Sequence, residues 1–254
     1  MILGIDVGNT NIVLGCIEED SFSHVVRLHT DRTETSEEYA IKFQQILELN
    51  GIDCSAFEGA IISSVVPEIT EALRLAVNKL TGVNTLVVGP GIKTGLNIRI
   101  DDPSSIGADL ITGSVGAMAY YVAPVIVIDI GTATTVTIVD KDNAFRGGAI
   151  IPGVKISYSA LSSGTSLLPN ISITPPKKVI GSNTADCMRS GAVYGTASMI
   201  DGMLDRMQEE IGYKCTVVAT GGMASGIIPC CRSEIIYDDD LLLKGLRVIY
   251  NKNR

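Results

Sequence analysis

The sequence predicts an α/β fold built from two similar halves, and three observations carry that prediction. A β-branched run, Ile2-Leu3-Gly4-Ile5-Asp6-Val7-Gly8-Asn9-Thr10, recurs half a chain later as Val125-Ile126-Val127-Ile128-Asp129-Ile130-Gly131-Thr132-Ala133. Each copy is followed by further strand-like runs and then helical patterns. The 254 residues, 46% of them hydrophobic, suffice for two packed cores of about 120 residues each. The expected division is residues 1–115 and 116–254, with the halves facing each other across a nucleotide.

In the first half, strands are expected near 2–6, 12–17 and 24–29. Thr35-x-x-Glu38 then announces a helix by its capping-box pattern. Its apolar stripe is Tyr39, Phe43, Ile46 and Leu47, and Asn50-Gly51 supplies the stop. Ala60 to Val66 is a β-branched run closed by Pro67, which a first helical turn tolerates because that N–H has no helical partner. This helix runs to about Thr81-Gly82 and is followed by a buried strand, Thr85-Leu86-Val87-Val88. Asp101 to Tyr121 begins Asp-Asp-Pro, becomes helical and connects the halves. In the second half, strands are expected near 125–130, 134–140 and 145–151, with Lys141-Asp142-Asn143 as a turn. Helical patterns around 153–163 and from Thr184 to Ile211, the latter behind an Asn183 cap, lead to the strand Thr216 to Thr220 and then Gly221-Gly222.

The repeated bend has the chemistry of a phosphate turn. Glycine there lets an anion approach the backbone, Asn and Thr side chains and amide N–H groups donate to phosphate oxygens, and the carboxylate can hold a hydrated cation. One Asp-x-Gly is an ordinary hairpin turn. Two matched copies point to a nucleotide, although repetition can also be architectural. Copy one offers Asp6, Gly8, Asn9, Thr10 and Asn11; copy two offers Asp129, Gly131, Thr132, Thr134 and Thr135. Phosphoryl transfer also needs a group that orients or deprotonates the acceptor. Asp109 in the connector is the candidate; the plainer alternative is a helix first-turn carboxylate meeting the positive end of the dipole. Gly221-Gly222 is either a close backbone approach to a base or ribose or a flexible turn. No G-x-x-x-x-G-K-[ST] occurs, so the phosphate device is not a P-loop.

A net charge of −8 argues against nucleic acid and anionic membranes as partners and favours a small molecule. Only two histidines, His24 and His29, are present, which disfavours a His-ligated zinc site or a Ser-His-Asp triad and leaves proton transfer to a carboxylate. The six cysteines show no C-x-x-C spacing and read as reduced thiols. Asp6 interrupts the apolar start too early for a secretion signal, and Val115 to Ile128, with Gly116 and Pro124 inside it, is too short to span a bilayer. A cytoplasmic location is expected.

Taken together, Asp6-Val7-Gly8-Asn9-Thr10-Asn11, Asp129-Ile130-Gly131-Thr132-Ala133-Thr134-Thr135, Thr220-Gly221-Gly222 and Gly107-Ala108-Asp109 resemble the first phosphate, second phosphate, adenosine and catalytic motifs of the type III pantothenate kinase family. Val88-Gly89-Pro90-Gly91, the stretch Gly147 to Gly153, Asn183-Thr184 and Leu243-Lys244-Gly245-Leu246 extend the resemblance over nearly the whole chain. It implies two similar ribonuclease-H-like (actin-like ATPase) domains with mixed sheets and a nucleotide cleft between them. The implied activity is ATP-dependent phosphorylation of pantothenate, with Mg²⁺ accompanying ATP, K⁺ or NH₄⁺ as a required monovalent cation, and a homodimer as the working unit. Nucleotide contacts are implied for Asp6, Val7, Gly8, Asn9, Thr10, Asn11, Ile12 and Val13, for Thr132, and for Gly221 and Gly222. Substrate contacts are implied for Gly107, Ala108, Asp109, Leu110 and Thr184, the last from the neighbouring subunit. Asp109 would be the general base, Asp129 the monovalent-cation ligand and Asp6 the carboxylate beside Mg·ATP.

Two positions depart from the family pattern. Leu110 stands where an Arg follows the catalytic Asp, and Ile100 where a Tyr precedes the Asp-x-Pro stretch. Neither side chain supplies the hydrogen bonds of the residue it replaces, so an atypical acceptor pocket is expected. Arg99 is expected to point away from the face that carries position 100. A kinase for another small hydroxylated acceptor and a non-catalytic nucleotide-binding regulator are the alternative readings.

Overall fold

The computed structural model describes residues 1–18 and 21–254. The chain forms two compact units: Met1–Leu96, Asp101–Tyr120 and Asp240–Arg254 in the first, Asn97–Ile100 and Tyr121–Asp239 in the second. This differs from a single cut between residues 115 and 116.

The first unit opens with three strands, β1 (Ile2–Val7), β2 (Asn11–Ile17) and β3 (Phe22–His29), followed by helix α1 (Ser36–Leu49), β4 (Gly59–Ser64), α2 (Pro67–Thr81) and β5 (Thr85–Val87). Its sheet order is β3-β2-β1-β4-β5, antiparallel across β1, β2 and β3 and parallel from β1 to β5. The expected capping box is formed: the Glu38 amide donates to Thr35 Oγ1 at 3.3 Å and the Thr35 amide to Glu38 Oε2 at 2.8 Å. Pro67 is the first helical residue of α2, and Gly82 ends that helix in the left-handed region at φ +72°.

Strand β6 (Asn97–Ile98) is followed by helix α3 (Ala108–Tyr120) and then by β7 (Val125–Ile130), β8 (Ala133–Val139) and β9 (Ala144–Pro152). Helices α4 (Val154–Ser163), α5 (Thr184–Ser190) and α6 (Thr196–Ile211), strand β10 (Thr216–Thr220), the short α7 (Ala224–Ile227), β11 (Ile236–Tyr237) and α8 (Leu241–Asn253) complete the chain. The expected helix from Thr184 to Ile211 is present as α5 and α6 joined by a π turn at Gly191–Gly195. The second sheet runs β11-β10-β7-β8-β9-β6. Read from β9 to β11 it repeats the order of the first sheet, with β6 added at the edge of β9. This is the ribonuclease-H-like topology of actin-like ATPases, present twice.

The repeat extends to burial. Strands β1 and β7 are buried at every position except the Asp, which is half-buried in both. One face of the first sheet carries Leu3, Ile5, Val7, Ile12 and Leu14 against Tyr39 and Phe43 of α1 and Leu73 of α2. The matching face of the second carries Ile126, Ile128, Ile130, Val136 and Ile138 against Ala197, Ile200 and Leu204 of α6. Side chains alternate between faces, so Asp6 and Asp129 belong to the opposite face of their sheets.

Helix α8 explains the division into units. Its backbone packs directly on α3: a Cβ at Gly245 would strike the Thr112 carbonyl, and one at Gly116 the Leu241 carbonyl. On the sheet side its Leu243 reaches Gly4 and Gly15, lying 2.6 Å from where a Gly15 Cβ would sit. Among the described residues no helix is long and apolar enough to cross a membrane. The six cysteines are free thiols, and both histidines are exposed on β3.

Candidate active site

In the first unit the Asp6 turn is a tight hairpin. Val7 pairs with Ile12, and the four residues Gly8 to Asn11 close the loop, with the Gly8 amide donating to the Asn11 carbonyl at 3.0 Å. Asn9, Thr10 and Asn11 are exposed, as donors to a phosphate must be. Val7 and Ile12 are fully buried core side chains, so only their backbone remains available to a ligand. Val13 is half-buried directly opposite Asp6.

Two residues that the sequence reading passed over brace this turn. Thr30 Oγ1 donates to the Gly8 carbonyl at 2.7 Å, its amide donates to the Thr10 carbonyl at 3.0 Å, and Arg32 donates to Asn9 Oδ1 at 2.7 Å. Arg32 also pairs with Glu68 at 3.5 Å. The signal was available: β3 returns antiparallel beside β2, so the polar run after His29 has to end beside the first turn.

Asp109 belongs to the same unit. It is the second residue of α3, with a half-buried side chain whose Oδ1 accepts from the Leu110 amide at 2.7 Å. The carboxylate folds back over Gly107, where a Cβ would strike Oδ1 and sit 3.5 Å from Val65 Cγ1. Val65 follows β4, and its amide donates to the Val7 carbonyl at 3.0 Å. Asp109 and the first turn therefore lie at the same, carboxyl end of β1 and β4. Burial pushes the Asp109 carboxyl above its ordinary pKa, against the opposing hydrogen bonds from the Leu110 amide and its own amide. A carboxylate serving only a helix terminus would shift the other way, so burial outweighs the terminus here.

In the second unit Ile130 pairs with Thr134, and only the three residues Gly131 to Ala133 close the loop. This hairpin is one residue shorter than the first, and Thr132 is exposed at its tip. The sequence treated Thr134 and Thr135 alike; the register separates them. Thr135 lies opposite Asp129, whereas Thr134 is buried and its hydroxyl makes no hydrogen bond among the described residues. Strand β10 runs parallel to β7 with Thr220 beside Asp129, and Gly221 follows at φ +98°. A Cβ at Gly221 would strike Asp129 Oδ1 and lie 2.6 Å from the Ile130 amide nitrogen. The glycine is required on both counts, conformation and space, and it brings the Gly221-Gly222 turn against the second phosphate-type turn.

Thr184 is exposed at the first position of α5, behind Asn183, whose Oδ1 accepts from the Asp186 amide at 2.9 Å. Leu110 is half-buried on α3 next to Asp109. Ile100 is half-buried in the second unit, its Cγ2 3.6 Å from where a Gly147 Cβ would be. Among the described residues no group of three or more His, Cys, Asp or Glu is placed to hold a metal by itself.

The family model for type III pantothenate kinases matches residues 2–206. The chain belongs to the type III pantothenate kinase family. It is 42% identical over 254 residues to a type III pantothenate kinase from an Exiguobacterium species, covering 100% of both chains. It is 43% identical over 253 residues to one from Halalkalibacterium halodurans, again covering 100% of both. In fold it is similar to component A of the (R)-2-hydroxyglutaryl-CoA dehydratase of Acidaminococcus fermentans, with a TM-score of 0.55 at 17% identity over 98% of this chain and 96% of that one.

Proposed function

We propose that the chain transfers the γ-phosphate of ATP to the primary hydroxyl of pantothenate, giving 4'-phosphopantothenate, the first step toward coenzyme A. The observation that carries this reading is the half-buried Asp109 carboxylate, held above its ordinary pKa at the strand ends that also carry the first phosphate-type turn. A base whose pKa is raised toward the working pH is the more effective proton acceptor.

In this reading Asp109 takes the proton of the substrate hydroxyl as that oxygen bonds to the γ-phosphorus. The bond from phosphorus to the bridging oxygen breaks, and ADP leaves. Asn9, Thr10, Asn11 and Thr132 donate to phosphate oxygens, with Arg32 holding Asn9 in place. Gly221 and Gly222 pass the nucleoside. Mg²⁺ bound with ATP would supply charge neutralisation for the phosphate oxygens. It is commonly held by one or two carboxylates together with phosphates, and Asp6 fits that donor set. Asp129 would hold the K⁺ or NH₄⁺ that the family resemblance implies.

The working unit in this reading is a homodimer, with Thr184 reaching the neighbouring subunit's substrate.

Ile100 and Leu110 favour one second reading, a kinase for a less acidic hydroxylated acceptor. Isothermal titration with pantothenate, followed by mass spectrometry of the reaction product from a panel of acceptors, separates the two. Phosphopantothenate as the main product supports the first reading. Absence of pantothenate binding at millimolar concentration, with another acceptor consumed, replaces it with the second.

A further inference from the structure

Strand β4 runs parallel to β1 with Ser63 in register beside Asp6. Side chains in register on neighbouring strands project to the same face. Ser63 is fully buried, and its hydroxyl makes no hydrogen bond among the described residues. Buried hydroxyls are nearly always paired, and an unpaired one costs stability that an alanine would not. The next residue behaves in the usual way: Ser64 Oγ lies 2.7 Å from Thr70 Oγ1 and accepts from the Val66 amide at 3.2 Å, where β4 enters α2. Thr85, Thr112, Ser114 and Thr134 also hold unpaired buried hydroxyls among the described residues; what sets Ser63 apart is that, at this end of β4, the unpaired one is the one in register beside a carboxylate.

The second unit repeats the arrangement. Strand β10 is the counterpart of β4, and it places Thr220 in register beside Asp129. Thr220 is also buried. In both units the strand parallel to the Asp-bearing strand thus carries a buried hydroxyl next to the carboxylate, at its last residue but one in β4 and at its last in β10. A requirement for small volume alone would be met by alanine.

The geometry points to Ser63 as a positioning residue of the nucleotide site: its hydroxyl donates to the Asp6 carboxylate as that carboxylate engages Mg·ATP, fixing one oxygen so that the other faces the ligand. This rests on the reading of Asp6 as the carboxylate beside Mg·ATP. The bond is not made in the fold by itself, so it contributes to the nucleotide complex and not to the stability of the free chain.

The test compares Ser63→Ala and Ser63→Thr with wild type in the full chain, by calorimetric titration of Mg·ATP and of ATP in EDTA, and by thermal melting without nucleotide. Ser63→Ala is expected to raise the Kd for Mg·ATP about tenfold, the effect of losing one hydrogen bond to a charged group. The Kd for metal-free ATP is expected to change by less than about twofold, and the melting temperature to stay level or rise. Ser63→Thr, the hydroxyl used in the second unit, is expected to recover most of the affinity. Unchanged Mg·ATP affinity in Ser63→Ala, an equal loss for metal-free ATP, or a melting temperature lower by several degrees would overturn the assignment. So would alanine-like affinity in a Ser63→Thr protein that melts normally. If wild type itself binds no Mg·ATP, the nucleotide reading of Asp6 fails and Ser63 with it, an outcome visible before any variant is made.

Discussion

Substituting Gly107 by alanine separates a catalytic role for Asp109 from a capping role. The added Cβ would strike Asp109 Oδ1 and lie 3.5 Å from Val65 Cγ1. Gly107 does not occupy the left-handed region, so alanine is tolerated by the backbone and gains about 0.4–1 kcal/mol through the unfolded chain. The carboxylate is the movable end of the clash, and swinging it aside sacrifices the 2.7 Å hydrogen bond from the Leu110 amide, worth roughly 1.5–3 kcal/mol for a charged acceptor in full and less where solvent replaces it. The two contributions oppose each other, and the net change in stability should stay within about 1–2 kcal/mol. Displacing a general base by about 1 Å costs on the order of 10²-fold in rate. Initial rates of ADP release at saturating ATP and pantothenate should therefore show kcat down by about two orders of magnitude, with the melting temperature nearly unchanged. A kcat within about twofold of wild type in a Gly107→Ala protein that melts normally would refute the argument that the carboxylate position matters.

Three further outcomes are expected. Asp109→Asn should lower kcat by about 10²–10⁴-fold, and the wild-type acid limb should lie above the ordinary Asp range of about 3.9, read from a pH–rate profile. Because burial raises this pKa in the fold, the stability it contributes is present below the unfolded value and lost as pH rises through the folded one; Asp109→Asn should gain in melting temperature relative to wild type at neutral pH compared with pH near 4. Gly245→Ala drives a methyl into the Thr112 carbonyl between α8 and α3 and should cost about 1–3 kcal/mol, measured by urea unfolding. Arg32→Ala removes the brace on Asn9 but only a half-exposed side chain; the KM for ATP should rise by about fivefold, matching roughly 1 kcal/mol, while kcat changes little.

The parts of the fold legible in the sequence are those encoded locally. The Asp-x-Gly hairpins, the Thr35 capping box, the Pro67 helix start and the Asn183 cap each carry their signal within a few residues, and each forms where expected. Helix α8 was not read as an element although Leu241, Leu243, Leu246 and Ile249 give it a local apolar face; what the sequence does not carry is the surface that face meets, formed by α3 and the first sheet. Its return to the first unit is also why the units are not contiguous. The π turn at Gly191–Gly195 lies within a continuous helical pattern, and periodicity alone does not distinguish it. In the candidate site, the turns and Asp109 were visible as motifs. Thr30, Arg32 and Ser63 were not, because what each does depends on the strand that lies beside it, and only register supplies that.

A coupled ADP-release assay of the full chain with Mg·ATP, run with and without pantothenate and with K⁺ present or replaced by Na⁺, reads the proposed phosphate transfer itself. The expected result is ADP formation that depends on pantothenate and is strongly stimulated by K⁺. ADP formation that is absent at saturating Mg·ATP and pantothenate, or that proceeds equally without pantothenate, would contradict it.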